Sequence, residues 1–313
     1  MNIQQALKKA ATELNLFNIP SASLDAEVLL LEALNRNVVR NDNEKLDKNW
    51  LYAHNNHKLT EKEEELFNNF IDQRKKHKPV AYIINRKEFF GYEFYVNENV
   101  LIPRPETELI VEEVLKIITG VNSLEHKNYS LIDIGTGSGC ILISILNELR
   151  KNKKNDLIKQ SIAIDISKKA IEIATINAKR YSLENNIKFI NKDFKKELDQ
   201  KLFSSSNHFV ITANLPYITD NNYEKLDKNV KDYEPKIALT SGTQGLDDIK
   251  NMLYLISKIS IKINQKIYLL IEADPDQINV IKEYLKKHFK DTKIAIINDL
   301  SGKKRLVIVS LFT

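Results

Sequence analysis

The chain has 313 residues, 42% hydrophobic and 28% charged, which fits a globular protein, excludes a wholly disordered one and is long enough to expect two domains. Lys and Arg number 47 against 42 Asp and Glu, and the net charge of +5 is too small and too dispersed to mark a nucleic-acid surface. No apolar run is long enough to span a membrane, the start MNIQQALKKAATELN lacks an apolar targeting core, and the single Cys140 has no internal partner, so a cytoplasmic protein is expected.

Residues 1–78 carry helical periodicity. Ala6, Leu7, Ala10 and Leu14 share one face, and Ala26, Leu29, Leu30 and Ala33 share another behind an expected N-cap at Ser23. A third helix is expected from Thr60, closed by a capping box with Glu63 and continuing through Leu66, Phe67, Phe70 and Ile71. His54 and His57 stand at helix spacing but lack a third ligand nearby, so they read as surface histidines, and no metal site is expected.

From Pro79 the texture becomes that of short strands: Val80–Ile84, then Glu88–Phe90 and Glu93–Val96 turning about Gly91. Leu101-Ile102-Pro103-Arg104-Pro105-Glu106-Thr107-Glu108 follows as a rigid connection, because each proline restricts both itself and the residue before it. A helix is expected from Thr107 through Ile118.

Beyond it strand and helix alternate. Strands are expected at Leu131–Ile134, Ser161–Asp165, Ile187–Ile190, Phe209–Thr212 and Ile267–Ile271. Helices are expected at Cys140–Arg150, Lys168–Tyr181, Leu246–Ile263 and Gln277–Phe289. Such alternation argues for a mostly parallel sheet covered on both faces. The last strands, Ile294–Ile297 and Leu306–Leu311, are joined too briefly for a parallel crossover, so an antiparallel hairpin is expected at one edge.

Three chemical signals sit at strand ends. Asp133-Ile134-Gly135-Thr136-Gly137-Ser138-Gly139 closes an apolar strand and opens a helix, where glycines permit close backbone approach and the helix N-terminus favours an anionic group. Position 140 is Cys140, so the dinucleotide fingerprint G-x-G-x-x-G is not met. Asp165 ends the second strand, where a carboxylate can take the hydroxyls of a ribose. Asp193 and Phe194 follow the third, where an acid can accept from an adenine amino group and a ring can lie on the base.

The fourth strand runs into Asn214-Leu215-Pro216-Tyr217. This resembles the N-P-P-Y motif of methyltransferases acting on a nitrogen of a planar conjugated group, and the glycine loop resembles that of class I methyltransferases using S-adenosylmethionine. An amide nitrogen is a poor nucleophile, so it must be held and aimed, which is catalysis by proximity. Leu215 replaces the first proline of the motif, keeping the backbone carbonyl while losing the ring constraint.

Taken whole, the sequence resembles the HemK/PrmC family, the protein-(glutamine-N5) methyltransferases of peptide chain release factors. The resemblance runs through Asp25-Ala26-Glu27-Val28-Leu29-Leu30, Lys78-Pro79-Val80-Ala81-Tyr82-Ile83, Glu88-Phe89-Phe90-Gly91 and the proline-arginine segment from Leu101 to Glu108. It continues through Tyr233-Glu234-Pro235, Gly242-Thr243-Gln244-Gly245-Leu246 and Leu269-Leu270-Ile271-Glu272 with Gln277 behind. Lys262-Ile263-Asn264-Gln265-Lys266 lacks the glycine pair common in the family, and Ala273-Asp274 replaces a position usually glycine.

The resemblance implies an α/β class I methyltransferase fold. That fold is Rossmann-like, a mostly parallel seven-stranded sheet with an antiparallel edge strand, preceded by a small all-α domain and a β-hairpin linker. The implied divisions are 1–78 for binding the release factor, 79–104 for the linker and 105–313 for methyl transfer. Asp133, Gly135, Thr136, Gly137, Ser138, Gly139, Asp165, Asp193, Phe194 and Asn214 would hold S-adenosylmethionine, leaving S-adenosylhomocysteine as product. Asn214, Leu215, Pro216 and Tyr217 would form the catalytic glutamine pocket, with the Asn214 oxygen and the Leu215 carbonyl accepting the two amide N–H groups and Tyr217 stacking on the amide. The implied partner is a class I release factor met by a monomer, with no membrane and no direct nucleic acid. An amino methyltransferase of adenine or guanine in nucleic acid is the alternative, and it would need a basic, aromatic-rich surface. A non-catalytic binding module is a third reading, supported only by Leu215.

Overall fold

The structure, a computed structural model, describes residues 1–37, 45–120, 128–196, 200–203, 206, 208–259, 265–289 and 292–312. The chain divides into two compact units. One comprises Met1–Arg86 with Asp227–Tyr233, the other Lys87–Leu226 with Glu234–Thr313.

The first unit is helical: α1 (Ile3–Leu16), α2 (Ala22–Asn37), α3 (Lys48–Ala53), α4 (Glu61–Lys75) and α5 (Val80–Ile84). The sequence periodicity is realised in its core, where Ala6, Ala10 and Leu14 meet Leu29, Leu30 and Ala33, with Phe67, Phe70 and Ile71 from α4. The Thr60–Glu63 capping box forms with both reciprocal bonds, at 2.8 and 3.3 Å. A buried ion pair between Arg74 and Asp25 (2.7 Å) ties α4 to α2, and Ser21 adds a bond to the same carboxylate oxygen.

Two local expectations are corrected. Ser23 lies inside α2, which starts at Ala22; Ser21 stands before it, and its carbonyl takes the N–H of Asp25. Val80–Ile84 is a helix. Its opening turn hangs on the Pro79 carbonyl, which accepts from Tyr82 and Ile83, and Asn85 ends it in the left-handed region (φ 55°). Burial of Tyr82 and Ile83 overrides the β-branched preference for strand.

A hairpin follows, β1 (Arg86–Phe89) and β2 (Tyr92–Tyr95). Phe90 and Gly91 both have positive φ (53° and 72°), the requirement of a two-residue turn matched to strand twist. Next come α6 (Glu108–Thr119), β3 (Tyr129–Ile134), α7 (Cys140–Lys151), β4 (Ile158–Asp165), α8 (Lys168–Arg180), β5 (Lys188–Asn191) and β6 (His208–Ala213). After β6 the chain forms α9 (Asp220–Tyr223), α10 (Lys228–Lys231), which belongs to the helical unit, and α11 (Asp247–Ser257). It closes with β7 (Lys266–Glu272), α12 (Ile278–His288), β8 (Lys293–Asn298) and β9 (Lys304–Phe312). The expected helix over Leu246–Ile263 thus ends at Ser257, and its positions 260–263 lie outside the described residues, as do 262–264 of the segment without the glycine pair.

The larger sheet has seven strands in the order β5-β4-β3-β6-β7-β9-β8, as expected for a class I methyltransferase fold. The first five in that order are parallel; β9 pairs antiparallel with both β7 and β8, so the terminal hairpin forms at one edge. Every residue of β3 and of β6 is buried, because helices cover both faces and strand alternation has no wet side to report. Residues of α6 and α7 fill the core on one face, residues of α11 and α12 the core on the other. Strand order runs outward from β3 in one direction and from β6 in the other. The crevice at the carboxyl ends of these two strands is therefore the topological switch point, where ligands bind in open α/β sheets.

Candidate active site

The loop after β3 lies over that crevice. Gly135, Gly137 and Gly139 all have positive φ (74°, 54° and 80°), and their surroundings differ. A Cβ at Gly139 would stand 2.9 Å from Ile143 Cδ1 and 3.2 Å from Ala174 Cβ, so this glycine lets α7 and α8 approach. A Cβ at Gly135 would stand 3.0 Å from Leu215 Cδ2, whereas at Gly137 it would meet nothing within 4 Å. Gly137 lines the pocket, together with Gly135, Thr136 and Ser138. Asn177, fully buried on α8, donates to the Ser138 carbonyl (2.9 Å) and to that of Tyr95 (3.0 Å), pinning loop and hairpin at once.

Asp133 is wholly buried behind the loop rather than in the pocket lining. It accepts from Thr136 Oγ1 at 2.7 Å and Thr212 Oγ1 at 2.6 Å, so it joins the loop to the end of β6. Burial pushes its carboxyl up to about 6, against the pull of the two threonine hydroxyls.

Asp165 lines the pocket and accepts backbone N–H groups from Gly137 and Ser167, both at 2.9 Å. Burial raises its pKa, opposed by these backbone bonds. Asp193 and Phe194 line the same cavity; the Asp193 carboxylate accepts from the Lys195 N–H (3.0 Å), and Phe194 packs on the core beneath the sheet.

From β6, Asn214, Leu215 and Pro216 enter the lining. Asn214 donates from Nδ2 to Thr107 Oγ1 at 2.9 Å. The Leu215 side chain is buried in the core against Gly135. Tyr217 is half-buried outside the lining, and burial with the nearby Glu272 charge raises its pKa. Gln277 holds the backbone here, donating to the carbonyls of Tyr217 (2.8 Å), Gln244 (3.0 Å) and Gly245. Of the expected site residues, then, ten surround one pocket, while Asp133, Gly139 and Tyr217 stand beside it.

The segment before α6, expected only as a linker and rigid connection, also reaches the site: Asn99, Leu101, Pro103, Arg104 and Thr107 line the pocket. Glu234, buried, accepts from the Ile102 N–H (3.1 Å) and from Arg104 (2.6 Å), joining the two proline-bearing motifs. Lys195 and Asp248, also in the lining, pair at 2.7 Å. Only the fold brings these residues together.

Two family models match the chain, the PrmC N-terminal domain over residues 5–84 and a methyltransferase domain over residues 125–293. A release factor glutamine methyltransferase of Leptospira interrogans is 36% identical over 312 residues, spanning 99% of this chain and 98% of that protein. The chain belongs to the release factor glutamine methyltransferase family. A second member, from Bacillus subtilis, is 33% identical over 241 residues, covering 77% of this chain and 78% of its own length. Among solved structures, the catalytic domain of human Mettl16 in complex with a 3′UTR hairpin has a TM-score of 0.51 at 15% identity, covering 71% of this chain and 76% of that one. At that identity the likeness is one of fold. The family membership expected from the sequence motifs is thereby established, and the chain is a methyltransferase.

Proposed function

We propose that this enzyme transfers a methyl group from S-adenosylmethionine to the side-chain amide nitrogen of the glutamine in the Gly-Gly-Gln motif of class I peptide chain release factors, releasing S-adenosylhomocysteine. The observation that carries this reading is the convergence of the glycine loop, Asp165 and Asn214-Leu215-Pro216 on one pocket at the switch point. Relatives named release factor glutamine methyltransferase over nearly the whole chain support it.

The residues present fit S-adenosylmethionine. The backbone at Gly137 borders open space that a side chain would fill, and the Asp165 carboxylate faces the same cavity. Gly135 to Gly139 would cradle its amino-acid end, Asp165 its ribose hydroxyls, and Asp193 with Phe194 its adenine. When bound, it supplies an activated methyl group on a sulfonium.

The protein's own part is to hold the acceptor. The Asn214 oxygen and the Leu215 carbonyl would each accept one N–H of the glutamine amide, and Pro216 and Tyr217 would complete the pocket. Orientation of this kind lowers the entropic barrier without a strong base, because the amide proton becomes acidic as the nitrogen gains positive charge. The Asn214 Nδ2 bond to Thr107 leaves its oxygen as the acceptor available for that task.

The same reading assigns release-factor binding to residues 1–78, a linker role to 79–104 and transfer to 105–313, in a monomer working in the cytoplasm. Among the described residues no helix is long and apolar enough to cross a membrane. Mass spectrometry of the tryptic Gly-Gly-Gln peptide, after incubating enzyme and S-adenosylmethionine with purified release factor, tests the proposal. One added methyl on that glutamine is expected. Label from the methyl donor appearing instead only in total RNA or DNA would replace this reading with the nucleic-acid alternative.

A further inference from the structure

Arg104 sits between Pro103 and Pro105 in the segment that leads into α6, and it lines the pocket. Its guanidinium donates to Glu234 at 2.6 Å, and the other oxygen of that carboxylate takes the Ile102 N–H at 3.1 Å. The two side chains differ in exposure, 1% for Glu234 and 32% for Arg104. Pro235, next to Glu234, lines the pocket as well. A buried carboxylate thus holds a partly exposed cation at the pocket wall, and the methyl-transfer reading uses neither.

A guanidinium carries five N–H donors in a rigid plane and accepts nothing. One of them goes to Glu234, and among the described residues the others have no hydrogen-bond partner in the protein. Lys195, also in the lining, is spent on Asp248 at 2.7 Å. Arg104 therefore brings unused donors to the pocket. Its place is on the side of the methyl acceptor: the Arg104 carbonyl takes the Thr107 N–H at 3.1 Å, and the Thr107 hydroxyl takes Asn214 Nδ2 at 2.9 Å.

We propose that Arg104 is a substrate-binding residue, held in place by Glu234, whose unused N–H groups donate to main-chain carbonyl oxygens of the Gly-Gly segment beside the target glutamine. The inference rests on the glutamine-methylation reading. Glycines present no side chain, so a protein that reads them must bond to their backbone, and a carbonyl oxygen needs a donor.

The charge balance favours a neutral acceptor over an anionic one. The sulfonium of the methyl donor is positive, and an uncompensated guanidinium in the same cavity would oppose it. Glu234 offsets that charge and occupies one donor. What remains is a directional donor fork with little net charge, suited to carbonyls rather than to the carboxylate of the cofactor.

The test uses full-length enzyme, purified release factor and the variants Arg104→Ala and Arg104→Lys. Turnover and KM for the release factor are measured. Calorimetry gives the dissociation constants of S-adenosylhomocysteine and of methylthioadenosine, which lacks the amino-acid end. Arg104→Ala should raise KM about tenfold, the equivalent of one or two lost hydrogen bonds. Its kcat should stay within about threefold of wild type and both dissociation constants within about twofold. Lysine keeps the charge but not the planar fork, so Arg104→Lys should leave KM at least about threefold above wild type.

An unchanged KM in Arg104→Ala overturns the proposal, including the case where kcat alone falls, the mark of a merely structural part. So does a loss of S-adenosylhomocysteine affinity with methylthioadenosine binding unchanged, which would give Arg104 to the cofactor carboxylate. Should Arg104→Ala fail to fold, Arg104→Lys decides alone, and a wild-type KM there refutes the donor fork. A wild-type enzyme that leaves the glutamine unmethylated overturns this inference together with the functional reading. An active wild type whose variants keep a normal KM overturns the inference only.

Discussion

Gly137 and Gly139 have nearly the same backbone demand and opposite surroundings, so an alanine at each separates two effects. Both have positive φ, where an L side chain costs roughly 1–2 kcal/mol. That term is common to the two variants. At Gly139 the new Cβ also stands 2.9 Å from Ile143 Cδ1 and 3.2 Å from Ala174 Cβ, closer than packed carbons tolerate. Overpacking of this kind costs about 1–3 kcal/mol more. At Gly137 no heavy atom lies within 4 Å, so the methyl adds no strain of its own but enters the space proposed for the cofactor.

Gly139→Ala should therefore be less stable than Gly137→Ala by about 1–3 kcal/mol in denaturant titration. Gly137→Ala should bind S-adenosylhomocysteine at least about tenfold more weakly by calorimetry, a penalty near 1.4 kcal/mol. Wild-type affinity in Gly137→Ala would remove the loop from the cofactor site. Greater instability in Gly137→Ala than in Gly139→Ala would refute the packing argument.

Other substitutions test the rest of the site. Asp165→Ala removes a carboxylate that faces the pocket and braces the Gly137 N–H, and should weaken cofactor binding by about 1.5–3 kcal/mol; an unchanged calorimetric dissociation constant would exclude Asp165. Leu215→Pro restores the usual motif but empties core space beside Gly135, so stability should fall by about 1–3 kcal/mol in urea even if turnover rises, and full stability would mean the core closes over the gap.

Asp133 titrates near 6 when folded against 3.8 unfolded, so the folded state binds the extra proton between those values and its stability declines as pH rises through them. Asp133→Asn should therefore gain on wild type between pH 4 and 7 by up to roughly 3 kcal/mol, and a constant difference across that range would refute it. Deleting residues 1–78 should spare cofactor binding and abolish methylation of the intact factor; retained activity would deny that segment its proposed role.

Much of the transfer fold was legible because its signals are local. Apolar runs with turn residues mark buried strands, and the glycines of the loop after β3 are demanded by positive φ within a few residues of chain. The same locality misled at Val80–Ile84, whose β-branched residues fold as helix because Ile83 is buried in the helical core, with Val80 and Ile84 packed against it. Short turns such as α3 and α9 escaped notice because each buries only one side chain and so leaves no period to read.

What the chain alone determined about this protein is the alternation of strand and helix, the glycine loop, and the acid and asparagine at strand ends. Period and turn chemistry are properties of neighbouring residues. What the tertiary structure decided is which distant residues meet at and around the pocket: Arg104 with Glu234, Gly135 with Leu215, and Thr107 with Asn214. Those partners are set by strand order at the switch point, where β3, β6 and β7 lie side by side though separated in sequence, and no local pattern encodes that adjacency. The +5 charge, by contrast, predicted nothing about the site, whose chemistry rests on a few buried polar atoms held in place by their neighbours.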